Sequence, residues 1–241
     1  MRSDKARPFA VFDIDGTLIR WQLYHSVADT LAKLGHMDPK LHQRVKDARM
    51  VWKRRAGGFS DYERELISVY DQTITHLSRQ QLETAALAVF EEYKDQTYTF
   101  TRDLIAELKT KNYLLFAISG SQKEIVAKIA HYYGFDDFAA SIYEYTSGKF
   151  TGNKQVVSWD KKKVMDELVS KHQAIQEGSL AIGDTYSDIA LLETVEIPIT
   201  NPEKQLFARA RQAGWKIVIE RKNMVYELEK RQGKYELVKT S

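Results

Sequence analysis

Three short apolar runs in this chain each end in polar residues, and that recurrence restricts the fold more than any other feature. "PFAVF" runs into Asp13-Ile14-Asp15-Gly16-Thr17. "YLLFAIS" ends at Ser119-Gly120-Ser121, and "SLAIG" ends at Gly183-Asp184, with Asp188 shortly after. Runs this short, β-branched or aromatic and bounded by proline or glycine, read as buried strands. Helical stretches alternate with the later ones: "SQKEIVAKIAHYYG", "DKKKVMDELVSKH" and "YSDIALLET". Strand and helix in alternation with short links predict an α/β fold with a Rossmann-like parallel sheet. Right-handed crossovers then put the three polar tips on one rim, where open parallel sheets bind ligands.

The first strand is followed by something different. Leu23, Val27, Leu31 and Leu34 fall at helical spacing, as do Leu41, Val45, Ala48 and Trp52, then Tyr62, Leu66 and Tyr70, then Leu82, Val89 and Tyr93. This predicts an all-helical block of roughly seventy residues, inserted just after the first strand. Asp38-Pro39 is an N-cap with proline in the first turn, and Ser60…Glu63, Ser78…Gln81 and Ser121…Glu124 read as capping boxes. Gly134 is a helix stop, and Asn201-Pro202 opens another helix. "FAASIYEYTSGKFTG" reads as one or two short strands turning at Ser147-Gly148. The tail "MVYELEKRQGKYELV" reads as a hairpin turning at Gln232-Gly233 or as a helix ending near Arg231.

Composition excludes several classes. The 241 residues suffice for one large domain with a substantial insertion. A net charge of +3 against 36 basic and 33 acidic residues gives no case for a nucleic-acid binder. Cysteine is absent, which removes disulfides and thiolate metal sites and fits a reducing cytoplasm. The N-terminal apolar run is too short for a signal peptide, and no window reaches the length of a membrane span. The expectation is a soluble cytoplasmic protein, monomer or homodimer.

On the predicted rim, Asp13, Asp15, Asp184 and Asp188 crowd together. Crowded carboxylates repel unless a cation sits among them, and oxygen-only ligands suit a hard ion, Mg²⁺ first. The Ser119 hydroxyl and the amides around Gly120 form an anion site at a predicted helix N-terminus. Lys161, Lys162 and Lys163 follow a predicted N-cap at Asp160, and one could set an ammonium against a phosphate oxygen. A carboxylate facing phosphorus can act as nucleophile, with a second acid two residues on moving protons.

"DIDGT" (13–17), "ISGS" (118–121), the lysine helix and "GDTYSD" (183–188) resemble, in that order, the four motifs of the haloacid dehalogenase superfamily. The helical insertion and "YTSGKFTGN" resemble the subgroup containing the phosphoserine phosphatases. The resemblance implies a discontinuous core, residues 1–19 and 97–241, with a helical cap over residues 20–96. It implies an aspartyl-phosphate on Asp13, with Asp15 as general acid and base. Mg²⁺ would be held by Asp13, the Asp15 carbonyl and Asp184, supported by Asp188. Ser119, Gly120 and a lysine would bind the phosphoryl oxygens. Matching the apolar positions of this helix to the phosphoserine phosphatases favours Lys161; other members of the subgroup point to Lys163. The expected reaction is hydrolysis of a small phosphorylated metabolite. A phosphomutase or phosphotransferase is the alternative, with a non-catalytic phosphate-binding module behind it.

Substrate residues depart from that subgroup. Gln22 stands where the phosphoserine phosphatases carry an amino-binding glutamate, and Val69 where they carry a carboxylate-binding arginine. Arg54 and Arg55 are the nearby candidates to replace that arginine, so free phosphoserine is not the expected substrate. His25, Trp21 and Tyr24 lie at the expected cap entrance, where they either line the pocket or pack cap on core.

Overall fold

The computed structural model describes residues 6–221 and 224–240. β1 (Pro8–Phe12) leads into four helices, α1 (Leu23–Lys33), α2 (Pro39–Lys53), α3 (Phe59–Ile74) and α4 (Arg79–Tyr93). The chain then alternates: α5 (Thr99–Thr110), β2 (Leu114–Gln122), α6 (Lys123–Tyr133), β3 (Asp137–Thr146), β4 (Lys149–Gln155), α7 (Lys161–His172) and β5 (Ile175–Gly183). It continues through α8 (Ile189–Leu192), β6 (Ile197–Thr200), α9 (Lys204–Ala213), β7 (Lys216–Arg221), β8 (Met224–Arg231) and β9 (Lys234–Thr240). Among the described residues no helix is long and apolar enough to cross a membrane.

The strands form one sheet in the order β4-β3-β2-β1-β5-β6-β7-β8-β9. Pairing is parallel from β3 to β7 and antiparallel at both margins. Side chains alternate across β1. Ala10 and Phe12 join one core cluster, while Phe9 and Val11 join the other. Both faces of the central strands are therefore covered, which is why these runs are apolar throughout. The first cluster runs without a break into the helical block through Val27, Leu31, Leu66, Tyr70 and Val89. The second packs under α7 and α9 through Met165, Leu168, Leu206 and Ala210. Pairing of Phe12 with Ala117 on β2 and with Ile182 on β5 levels the three polar tips.

The helical block leaves and returns through adjacent backbone. Tyr98 N donates to Leu18 O at 2.9 Å and Arg20 N to Gln96 O at 2.8 Å. Glu220, on β7, accepts from the amides of Thr99 and Phe100 at 3.0 Å each and pairs with Arg20.

Local signals hold in part. Asp38 accepts from the Lys40 amide, Ser78 and Gln81 form their capping box, and Gly134 ends α6 with φ +63°. The tail is a hairpin, with Gln232 and Gly233 at positive φ. Two predicted boxes are corrected. α3 begins at Phe59, and the Asp61 carboxylate caps the Gly58 amide in place of a Ser60…Glu63 pair. α6 begins after Gln122, and the Ser121 hydroxyl goes to Asp15 instead of Glu124. The helix expected from Asn201-Pro202 starts at Lys204.

Candidate active site

Asp13 follows β1 directly, and its amide is fixed to Ile182 O on β5 at 3.0 Å. The chain then turns tightly, with the Ile14 carbonyl accepting from Leu18 N and Ile19 N at 3.0 and 2.9 Å. Gly16 in this turn has φ +85°, and a Cβ there would lie 2.2 Å from Asp184 Oδ2. Glycine is required both by the backbone and by the close approach of the acid. At Gly183 a Cβ would sit 2.5 Å from the Asp188 side chain.

Carboxylate oxygens of Asp13, Asp184 and Asp188 lie within 4.8 Å of one another. Lys161 Nζ bridges two of them, 2.6 Å from Asp13 Oδ1 and 2.6 Å from Asp188 Oδ1. Asp188 is fastened further by the amides of Asp184 and Thr185 at 3.2 and 3.0 Å. Thr17 Oγ1 donates to Asp184 Oδ1 at 3.1 Å. Asp15 takes three donors, the Leu23 amide and Ser119 Oγ at 2.5 Å each and Ser121 Oγ at 3.0 Å.

The electrostatics follow from burial. Desolvation pushes Asp13 up to about 7; Lys161 opposes the rise, while Asp188 and Asp15 add to it. Asp184 is raised well above the usual carboxylate range by burial and by the charges of Asp13 and Asp188. Asp15 is raised by burial, against the donors that hold it. Its two carboxylate partners raise Lys161 despite its burial. One ammonium faces four acids, so full ionisation of the cluster calls for a further cation. All-oxygen donors at this spacing fit a hard divalent cation.

The acids open onto a cavity of about 810 Å³, to which Asp13, Asp15, Gly120, Lys161 and Asp184 contribute. Gln22 and Tyr24 line it, and so does His25. Trp21 stands outside, 37% exposed. Three expectations are corrected here. Ser119 is not at a helix N-terminus: β2 runs on to Gln122, and its fully buried hydroxyl is committed to Asp15. Lys163 is exposed, its amide bound by Asp160, so Lys161 is the lysine at the acids. Arg54 and Arg55 lie exposed where α2 ends and do not line the cavity. Val69 is buried in the core cluster.

Other lining residues escaped sequence reasoning: Trp52, Phe59, Glu63, Tyr143 and Lys154. The i, i+4, i+8 spacing of Phe59, Glu63 and Ile67 was a usable signal, since all three line the cavity. Tyr143 and Lys154 carried none, because a β-hairpin brings them there. Lys154 Nζ binds both oxygens of Asp71 on α3 at 2.8 and 2.6 Å, and the Tyr143 and Tyr24 hydroxyls meet at 2.9 Å.

Residues 10–193, which hold all of these acids and Lys161, match the sequence profile of the haloacid dehalogenase-like hydrolases. The chain belongs to that family. Solved structures agree on the haloacid dehalogenase fold. A protein of unknown function from Bordetella pertussis Tohama I superposes with a TM-score of 0.73 at 20% identity, covering 90% of this chain and 99% of that one. A phosphoserine phosphatase in the form of a phospho-aspartyl intermediate analogue gives 0.63 at 20% identity over 91% and 96%. A substrate-bound phosphoserine phosphatase gives 0.64 at 19% identity over 91% and 96%. No curated protein matches by sequence. In this haloacid dehalogenase-like hydrolase the acids and Lys161 come from the sheet side, and the aromatic side chains of Tyr24, Trp52 and Phe59 from the helices between β1 and α5.

Proposed function

We propose that the chain is a Mg²⁺-dependent phosphatase that hydrolyses a small phosphomonoester through a phosphoryl group carried on Asp13. The observation that supports this most is the buried Asp13 carboxylate, held 2.6 Å from Lys161 beside Asp184 and Asp188, with Asp15 two residues on. In this reading residues 20–96 are a cap over a core made of residues 1–19 and 97–241, and the reaction takes place in the cytoplasm.

Asp13, Asp184 and the Asp15 carbonyl would hold Mg²⁺, with Asp188 supporting. The ion would supply charge neutralisation for the phosphoryl oxygens. Lys161 and the Gly120 amide would bind those oxygens, while Ser119 acts by orienting Asp15. An Asp13 oxygen attacks phosphorus, and the bond from phosphorus to the alcohol oxygen breaks. Asp15 gives that oxygen its proton, and burial favours the protonated carboxyl that this needs. Asp15 then takes a proton from water, whose oxygen attacks the same phosphorus, freeing Asp13 and inorganic phosphate. Positioning and charge carry most of the rate, as in other phosphoryl transfers.

The test is phosphate release from p-nitrophenyl phosphate with Mg²⁺. Asp13→Asn is expected to lower kcat by at least about a thousandfold. Unchanged turnover in that variant removes Asp13 from its role.

A further inference from the structure

The cavity has a second half that the phosphoryl chemistry does not use. Phe59, Glu63 and Ile67 line it from α3, Trp52 from the end of α2 and His25 from α1. The rings pack on one another. Phe59 meets Trp52 edge to face at 5.2 Å, Trp52 stacks on Tyr62 at 5.5 Å, and Tyr62 meets His25 edge to face at 5.0 Å. His25 is buried enough to stay neutral near pH 7, so the ring cluster carries no positive charge of its own.

The cations of the cavity are already matched. Lys161 is shared by Asp13 and Asp188, and Lys154 is bound by Asp71. No arginine is among the lining residues. Lys53, beside Trp52 in sequence, sits over the Trp21 ring at 5.9 Å, outside the lining. Glu63 is different. Its side chain is exposed where it lines the cavity, and among the described residues it has no ion-pair partner. An alcohol bearing a carboxylate would meet Glu63 with no cation to receive it. An alcohol bearing a cation would meet a carboxylate beside large aromatic rings, the groups that recognise ammonium.

We infer that this half of the cavity selects phosphomonoesters of amino or quaternary-ammonium alcohols, with Glu63 as counter-ion and Trp52 and Phe59 as the ring surface. The inference rests on the phosphatase reading above, and its test separates the two.

Phosphocholine and its neutral isostere, 3,3-dimethylbutyl phosphate, have nearly the same shape and differ in charge. With the full chain and Mg²⁺, kcat/KM for phosphocholine is expected to exceed that for the isostere by about tenfold or more. Glu63→Gln is expected to shrink that ratio several-fold, and Glu63→Asp to restore part of it. A ratio near one in the unaltered chain overturns the inference while hydrolysis of both esters keeps the phosphatase reading. If neither ester nor p-nitrophenyl phosphate is hydrolysed, the phosphatase reading falls. Calorimetric titration with the two esters then decides the inference: tighter binding of phosphocholine supports it, and equal or undetectable binding of both overturns it.

Discussion

Lys161 is 4% exposed and sits between two acids that are as buried as it is. Removing one partner from a buried ionic cluster leaves the others without compensation. Lys161→Met is expected to destabilise the fold by about 3–5 kcal/mol at pH 8, measured by urea unfolding. The loss should be smaller at pH 5.5, because protonation relieves Asp13 once the ammonium is gone. Gly16→Ala acts on a different neighbour. Its Cβ would press on Asp184 in a backbone conformation that alanine resists. The Mg²⁺ concentration for half-maximal activity is expected to rise about tenfold or more, read from a metal titration of turnover. The acids themselves were legible because each follows an apolar strand run, where a carboxylate has no structural reason to be. The partner of Ser119 was not, since a serine after a strand looks the same whether its hydroxyl caps a helix or orients an acid. Arg54 and Arg55 failed as candidates because helical periodicity says nothing about a loop where α2 ends.

At the scale of helices, two serines with the same sequence signature behave differently. Ser78 accepts from the Gln81 amide at the start of α4, whereas Ser60 lies one residue inside α3. Ser78→Ala is expected to lower stability by about 1 kcal/mol and Ser60→Ala by far less, compared by thermal unfolding. The signature is short and carries no information about a nearer acceptor, which is why it misplaced the starts of α3 and α6. Periodicity did better in α1, α3 and α4, whose marked residues are buried apart from exposed Leu34 and half-buried Tyr93, whereas in α2 only Val45 of the marked stripe is fully buried. The packing of α1 also makes stability respond to acid. Burial pulls His25 down to about 4, with Arg49 adding to the shift. Above the unfolded value near 6.5 both states are neutral and nothing is lost. As pH falls from there toward 4, the unfolded chain binds a proton that the folded chain refuses, so stability declines. Asp13 and Asp184 respond in the opposite sense over the same range, so the difference between chains is the useful quantity. His25→Phe is expected to gain about 2 kcal/mol on the unaltered chain between pH 7 and pH 4.5, by urea unfolding at each pH.

The molecule as a whole stores a repulsion that a cation would relieve. Asp13 and Asp184 are raised in the folded state, so without metal their contribution to stability improves as pH falls, for Asp13 through about 7. Mg²⁺ is therefore expected to raise the Tm more at pH 8 than at pH 6, and Asp184→Asn to reduce the increment. At a hundredfold excess over Kd the increment corresponds to about 2.7 kcal/mol. A parallel sheet with a helical insertion was readable from the alternation of short apolar runs and helical stripes. The order of strands was not, because it depends on which tips meet across long stretches of chain. The aromatic half of the cavity was hidden for the same reason: Trp52 and Phe59 look like ordinary core positions until tertiary packing sets them in the cavity wall.

The neck between sheet and helical block has one more consequence. The outgoing chain at Leu18 and Arg20 is hydrogen-bonded to the returning chain at Gln96 and Tyr98, so both ends of the excursion are anchored at a single point. Asp13, Lys161 and Asp184 fall outside the excursion; Trp52, Phe59 and Glu63 fall inside it. On the proposed reading, reactivity and selectivity are thus written in separate passages of the gene product, and either could be rewritten over generations while the other is left as it stands.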